Sequence, residues 1–259
     1  MEYKTMGMTI ENHLATIKIN NPPVNSITPQ MVDELSNAFT EIEKESDVRA
    51  VILASALDKV FIAGADINQL LGWKGPDAMS ICSKGHEALL KIANFHKPVI
   101  CVINGIAFGG GLEIALACDI RVIDKKAKVA LPECGLGIIP GFGGTVRLPK
   151  LVGAGMAKKL TFGTEPIGGE EAYRIGLAEI LSEQGECFND AFRLADSICK
   201  RAPKAVTAAK RSIDFNLSNS VEYGIAFEIE QIGMLADTQD KTEGAQAFFE
   251  KRLPNFINE

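Results

Sequence analysis

Apolar and polar positions change their period several times along the chain, and each change marks an element. Residues 14–19 (LATIKI) alternate apolar and polar, the pattern of a half-buried strand. A turn-rich stretch with Pro22 and Pro23 follows. Thr28 then precedes Pro29, which suits an N-cap and a first helical position. Met31, Leu35, Ala38 or Phe39, and Ile42 recur at helical spacing beyond it. Residues 50–54 (AVILA) and 98–103 are continuous apolar runs, as in strands of a sheet covered on both faces, and 120–123 gives a further strand. An amphipathic helix is predicted over 76–94, between the first two of these runs.

Strand and helix therefore alternate over the first two thirds, which predicts an α/β architecture. From about Phe142 the pattern turns helical, over 153–162, 169–176, 187–201, 203–217, 220–236 and 242–252. The expected division is a core over residues 1–200 and a helical region over 201–259. Periodicity alone shows no internal repeat, low-complexity tract or long linker.

Composition narrows the function classes. The 259 residues are 46% hydrophobic and 23% charged, ordinary for a folded globular chain. A formal net charge of -6 is the wrong sign for phosphate neutralisation, so no nucleic-acid partner is expected. No stretch of about 18 apolar residues occurs, so no membrane span is expected. The N-terminus has no signal- or transit-like pattern, and the six cysteines contain no C-x-x-C pair. A reduced, cytoplasmic protein without a disulfide framework or metal site is the expectation.

The candidate chemistry lies in the glycines and two glutamates. Neither G-x-G-x-x-G after a strand nor G-x-x-x-x-G-K-[ST] is present, which removes support for a nucleotide fold. G-x-S-x-G is also missing. His86-Glu87 begins like H-E-x-x-H, but position 90 is leucine, and only His13, His86 and His96 exist. Gly109, Gly110 and Gly111 fall between a buried strand with its loop (104–108) and a helix beginning near Leu112. Such a helix end presents unpaired N–H groups to a developing oxyanion. Glu113 lies in that first turn, where it serves either the bound group or merely the helix dipole. Glu133 is flanked by Leu131, Pro132, Leu136 and Ile138. Burial there would raise its pKa; a surface turn is the other reading.

Four ordered segments carry a resemblance. They are Phe61-Ile62-Ala63-Gly64-Ala65-Asp66-Ile67, then Asn104-Gly105-Ile106-Ala107-Phe108-Gly109-Gly110-Gly111-Leu112-Glu113, then Cys118-Asp119-Ile120-Arg121, and the Gly-rich run from Leu131 through Thr145. Together they resemble the enoyl-CoA hydratase/isomerase (crotonase) family over nearly the whole chain. The resemblance implies a crotonase-like spiral of ββα units with a C-terminal helical trimerisation region, assembled as a trimer or a dimer of trimers. It implies an oxyanion hole from the backbone N–H groups of Ala65 and Gly110. It implies that coenzyme A follows Ala63, Ala65, Asp66, Ile67 and Asn68, with Phe248 and Lys251 as C-terminal contacts from the same or a neighbouring subunit.

The implied substrate is an acyl-CoA thioester, with no cofactor beyond the coenzyme A of the substrate. Glu113 and Glu133, twenty residues apart as in the hydratases, would activate water and deliver a proton to C2. The alternatives are a Δ3,Δ2-enoyl-CoA isomerase, which needs one shuttling base, and a non-catalytic coenzyme A-binding trimer. Having both glutamates favours hydration. Ala130 stands where glycine is common and is expected to tighten the pocket. The pocket floor is expected to involve residues 69–79.

Overall fold

The computed structural model describes residues 3–259, apart from the side chain of Gln69. Strand β1 (Met6–Glu11) and β2 (Leu14–Ile19) form an antiparallel hairpin turning at Asn12 and His13. Helix α1 (Pro29–Lys44) starts where the sequence places it: Thr28 Oγ1 accepts from the Met31 amide at 3.1 Å. Its buried stripe is Met31, Leu35, Ala38, Phe39 and Ile42.

Three turns of one plan follow. Strands β3 (Ala50–Ser55) and β4 (Val60–Ile62) lead to α2 (Gly75–Ala93). Strands β5 (Val99–Ile103) and β6 (Ile106–Phe108) lead to α3 (Gly110–Ala117). Strands β7 (Ile120–Asp124) and β8 (Lys128–Ala130) lead to α4 (Gly144–Val152) and α5 (Ala154–Gly163). The plan then closes with β9 (Ile167–Gly168), α6 (Gly169–Arg174) and β10 (Ile180–Ser182), before α7 (Cys187–Cys199).

The first strand of each turn joins a six-stranded sheet, β1-β2-β3-β5-β7-β10, parallel from β2 onward. The second joins a four-stranded sheet, β4-β6-β8-β9. Parallel neighbours need a crossover: β2 reaches β3 through α1 alone, and the later crossovers pass through the second sheet and a helix. The chain is therefore the expected α/β spiral of ββα units.

The central strands of the larger sheet are buried on both faces, as their apolar runs predict. Ala50, Ile52, Ala54, Ile100, Val102 and Val122 point to α7, meeting Cys187, Ala191, Ala195 and Cys199. Alternate residues Val51, Leu53, Val99, Cys101 and Ile103 face the inner core with α1, α2 and α3. All six cysteines are free, four of them buried. Among the described residues no helix is long and apolar enough to cross a membrane, and no cluster of potential metal ligands occurs.

Two expectations are corrected. Residues 104–108 are not simply a loop, because Ile106 and Ala107 pair with both β4 and β8, and Phe108 with β8. The chain after Phe142 is not all helix either, since β9 and β10 complete the two sheets there. These strands have two or three residues, too few for alternation to register. The hairpin strand β1 likewise has no counterpart in the sequence reading, being mostly exposed or half-buried. Helices of 8 to 19 residues in successive turns hide the repeat from any fixed period.

Beyond α7, helices α8 (Pro203–Asn216) and α9 (Val221–Ala236) form a hairpin, with Phe215 stacked on Phe227 at 4.5 Å. Helix α10 (Gln239–Glu250) is clasped by the chain's last residues: buried Asp240 accepts from the amides of Ile257 and Asn258. Arg49 ties this tail to the core, donating to the carbonyls of Cys199 and Phe256. Ile213, Leu217, Ile225, Ile229 and Ile232 lie exposed on α8 and α9.

Candidate active site

A cavity of about 460 Å³ opens where the second sheet gives way to the helices. Residues 63–65 and the start of α3 form one wall. The 3-10 turn Glu133–Leu136 and the loop from Ile138 to Val146 form another. Ala78, Cys82 and His86, one face of α2 at four-residue spacing, complete it with Trp73. The lining is mostly apolar, with two carboxylates exposed to it.

The glycine run explains how strand and helix meet so closely. Gly109 has φ 52°, and a Cβ there would lie 2.7 Å from Glu133 Oε1. A Cβ on Gly111 would lie 2.2 Å from the Ile62 carbonyl, so α3 could not press on β4 with any larger residue. Among the described residues no group accepts a hydrogen bond from the Ala65 or Gly110 amide. Both residues line the cavity. The cavity wall thus carries two unpaired N–H groups, Gly110 at the start of α3 and Ala65 in the stretch after β4, the kind of donors a developing negative oxygen needs.

Glu113 projects from the first turn of α3 and is only 2% exposed. Its Oε1 accepts from the amides of Phe142 at 2.8 Å and Gly144 at 2.7 Å. Burial raises its pKa, while these amides and Arg147 oppose the rise. Its anion is thus supplied with partners.

Glu133 faces the opposite situation. It begins its 3-10 turn, is 8% exposed, and its Oε2 is buried with no hydrogen-bond partner among the described residues. Burial, with help from the Glu113 charge, pushes its pKa up to about 7. At neutrality it therefore holds a proton for a substantial fraction of the time.

Most residues singled out in the sequence meet here. Ala63, Ala65, Ile67, Gly110, Glu113 and Glu133 all line the cavity. Asp66 and Asn68, sequence neighbours of the lining residues Ala65 and Ile67, do not line it; Asp66 Oδ1 accepts from the Asn68 amide and side chain. Phe248 and Lys251 do not line it; both are exposed at the end of α10. Ala130 does not tighten the pocket, because it is buried in β8 and offers only its carbonyl, to the Gly109 amide at 2.9 Å. Of the expected floor, Leu70, Trp73 and Ala78 are present, while the Gln69 side chain lies outside the described residues.

The sequence reading missed Cys82, His86 and Phe142 as cavity residues. Only the i, i+4, i+8 spacing of Ala78, Cys82 and His86 on α2 hinted at a shared face. Which surface that face meets depends on the loop from a later turn of the spiral.

Comparison with known proteins agrees with this geometry. The family described as enoyl-CoA hydratase/isomerase matches residues 9–259. The chain is 39% identical over 253 residues to a short-chain-enoyl-CoA hydratase of Clostridium acetobutylicum, covering 97% of each. It is 36% identical to a crotonyl-CoA hydratase of Syntrophomonas wolfei over the full length of both. A crystal structure of enoyl-CoA hydratase from Bacillus anthracis superposes with a TM-score of 0.95 at 35% identity, covering 99% of this chain and 100% of that one. With a family match across nearly all its length and relatives well above 30% identity, the chain belongs to the enoyl-CoA hydratase/isomerase family.

Proposed function

We propose that the protein adds water across the C2=C3 bond of a trans-2-enoyl-CoA to give a 3-hydroxyacyl-CoA. The observation that carries this reading is the pair of buried carboxylates on one apolar cavity, one bonded to two loop amides and one with a buried oxygen lacking any partner. Hydration needs a base for water and an acid for carbon, and the two surroundings separate those roles.

The thioester carbonyl oxygen lies between the amides of Ala65 and Gly110. Glu113, ionised, orients a water and takes its proton as the oxygen bonds to C3. The C2=C3 electrons move toward the thioester, and the enolate oxygen is held by the two amides. Each such donor contributes roughly 2.7–4 kcal/mol in comparable sites. Glu133 then gives its proton to C2. The addition is redox-neutral, so it calls for no cofactor beyond the coenzyme A of the substrate.

Coenzyme A follows the edge formed by Ala63, Ala65, Asp66, Ile67 and Asn68. Phe248 and Lys251 contact it from a neighbouring subunit, a role supported by their exposure away from this chain's own cavity. The exposed apolar side chains of α8 and α9 support residues 201–259 as the oligomerisation region of a trimer or a dimer of trimers.

The test is loss of the conjugated enoyl-thioester absorbance on adding protein to crotonyl-CoA. Rapid loss with 3-hydroxybutyryl-CoA as product supports the reading. No loss on crotonyl-CoA or longer enoyl-CoAs, despite binding of the thioester, would end it in favour of isomerisation or scaffolding.

A further inference from the structure

Arg147 lies in the first turn of α4, behind the loop that holds Glu113. Its Nη1 donates to the Phe142 carbonyl at 3.0 Å. The Phe142 amide meanwhile donates to Glu113 Oε1 at 2.8 Å. The backbone of Phe142 is therefore held at both ends, by a carboxylate at its N–H and a guanidinium at its C=O. Gly143 has φ 106°, and a Cβ there would lie 2.1 Å from Arg147 Nη1. Only a glycine lets the guanidinium close over this turn. The Arg147 amide adds a bond to the Gly143 carbonyl at 2.8 Å, anchoring the same turn to the helix.

We propose that Arg147 is a positioning residue for the water-activating base, fixing through the Phe142 carbonyl the loop whose amides hold Glu113 Oε1. The inference rests on the hydratase reading above and deepens it. Arg147 touches no reacting atom; it acts on where the Glu113 carboxylate points and how readily it stays ionised. Its positive charge also draws the Glu113 pKa down against the effect of burial. The other titratable groups near this pair are Glu133 across the cavity, Cys82 and His86 from α2, and Cys118 at the end of α3. None of these supplies a second cation hydrogen-bonded to the loop, so the expected effects fall on Arg147.

The experiment compares wild-type protein with Arg147→Gln and Arg147→Lys in crotonyl-CoA hydration across pH. Butyryl-CoA affinity by calorimetry and thermal unfolding are measured alongside. Arg147→Gln keeps a donor but removes the charge. Its kcat should fall roughly tenfold to a hundredfold, with KM and butyryl-CoA affinity within about twofold. The acid limb of its kcat/KM profile, which reports the base of the free enzyme, should move to higher pH. Arg147→Lys should keep that limb in place and recover most of the lost kcat.

A wild-type kcat and acid limb in Arg147→Gln, or a loss confined to KM, would overturn the inference. If Arg147→Gln does not fold, Arg147→Lys decides. A modest loss of kcat with unchanged KM supports positioning, and no change in kcat overturns it. A wild-type protein without hydration activity would sink the proposed function and this inference together. A wild-type hydratase indifferent to both substitutions would sink this inference alone.

Discussion

Two stretches of chain, 109–113 with its partner loop 142–144 and the turn around Glu133, deliver the same side chain to the same cavity in contrasting hydrogen-bonding surroundings. Around Glu113 the fold supplies two backbone amides and, one residue behind them, a guanidinium. Around Glu133 it supplies Pro132, Leu136 and Ile138, and leaves Oε2 without a donor. Both carboxyls are buried, and burial raises both pKa values. What separates them is the set of hydrogen bonds each is given, since a desolvated carboxylate is tolerated only where donors replace water. In the proposed mechanism two identical residues thereby take the two halves of an acid–base pair.

The sharpest way to break this comparison is to neutralise each residue in turn. Glu113→Gln and Glu133→Gln should each lower the hydration rate by about 10²–10⁴-fold. Butyryl-CoA should still bind both variants in calorimetry. A variant that hydrates crotonyl-CoA at nearly the wild-type rate would remove that glutamate from the mechanism.

Gly109→Ala presses on Glu133 from the helix start that carries Glu113. The residue has φ 52°, and its new methyl would press on Glu133 Oε1 at 2.7 Å. Strain of roughly 1–3 kcal/mol is expected, read as about a 10- to 100-fold fall in kcat without loss of the acid limb assigned to Glu113. A shifted acid limb would show that the two surroundings are not independent.

The pH profile distinguishes the roles by sign. Glu133 must be protonated to give its proton, and its pKa is about 7. Hydration should therefore decline above neutrality, approaching about tenfold per pH unit at the alkaline end. Glu133→Gln should abolish that alkaline limb in whatever activity survives. An alkaline limb that persists unchanged in this variant would assign the acid elsewhere.

The smallest effect expected is on stability. A carboxyl whose folded pKa is raised favours folding fully below its unfolded value and loses that contribution as pH rises through its folded value. For Glu133 the window runs from about 4.5 to about 7. Glu133→Gln, which never ionises, should melt roughly 2–4 °C above wild type at pH 8, with the gap shrinking toward pH 5. Equal melting temperatures at pH 8 would mean that Glu133 ionises without penalty in the folded chain.

Much of this was legible in the chain because it rests on local patterns. The N-cap at Thr28, the stripe Met31 to Ile42 and the runs at 50–54 and 98–103 needed only periodicity and capping chemistry. A helix start beside the glycine run, read near Leu112 and found at Gly110, followed from a glycine run between a strand and an apolar helix. The short strands β6, β9 and β10 were not legible, because two or three residues have no period of their own and exist only through their neighbours. Cys82, His86 and Phe142 escaped for a related reason: α2 and the loop at 138–146 meet only after a further turn of the spiral has intervened.

The sequence by itself determined the alternation of strand and helix, a helix end at the glycine run 109–111 and the two candidate glutamates. Those properties depend on residue type and on neighbours a few positions away. Only the tertiary structure decided that Glu113 receives the amides of Phe142 and Gly144 while Glu133 Oε2 receives none. A carboxyl's proton occupancy depends on how many donors reach it once water is excluded. Those donors come from residues about thirty positions along the chain, brought close by the winding of the two sheets.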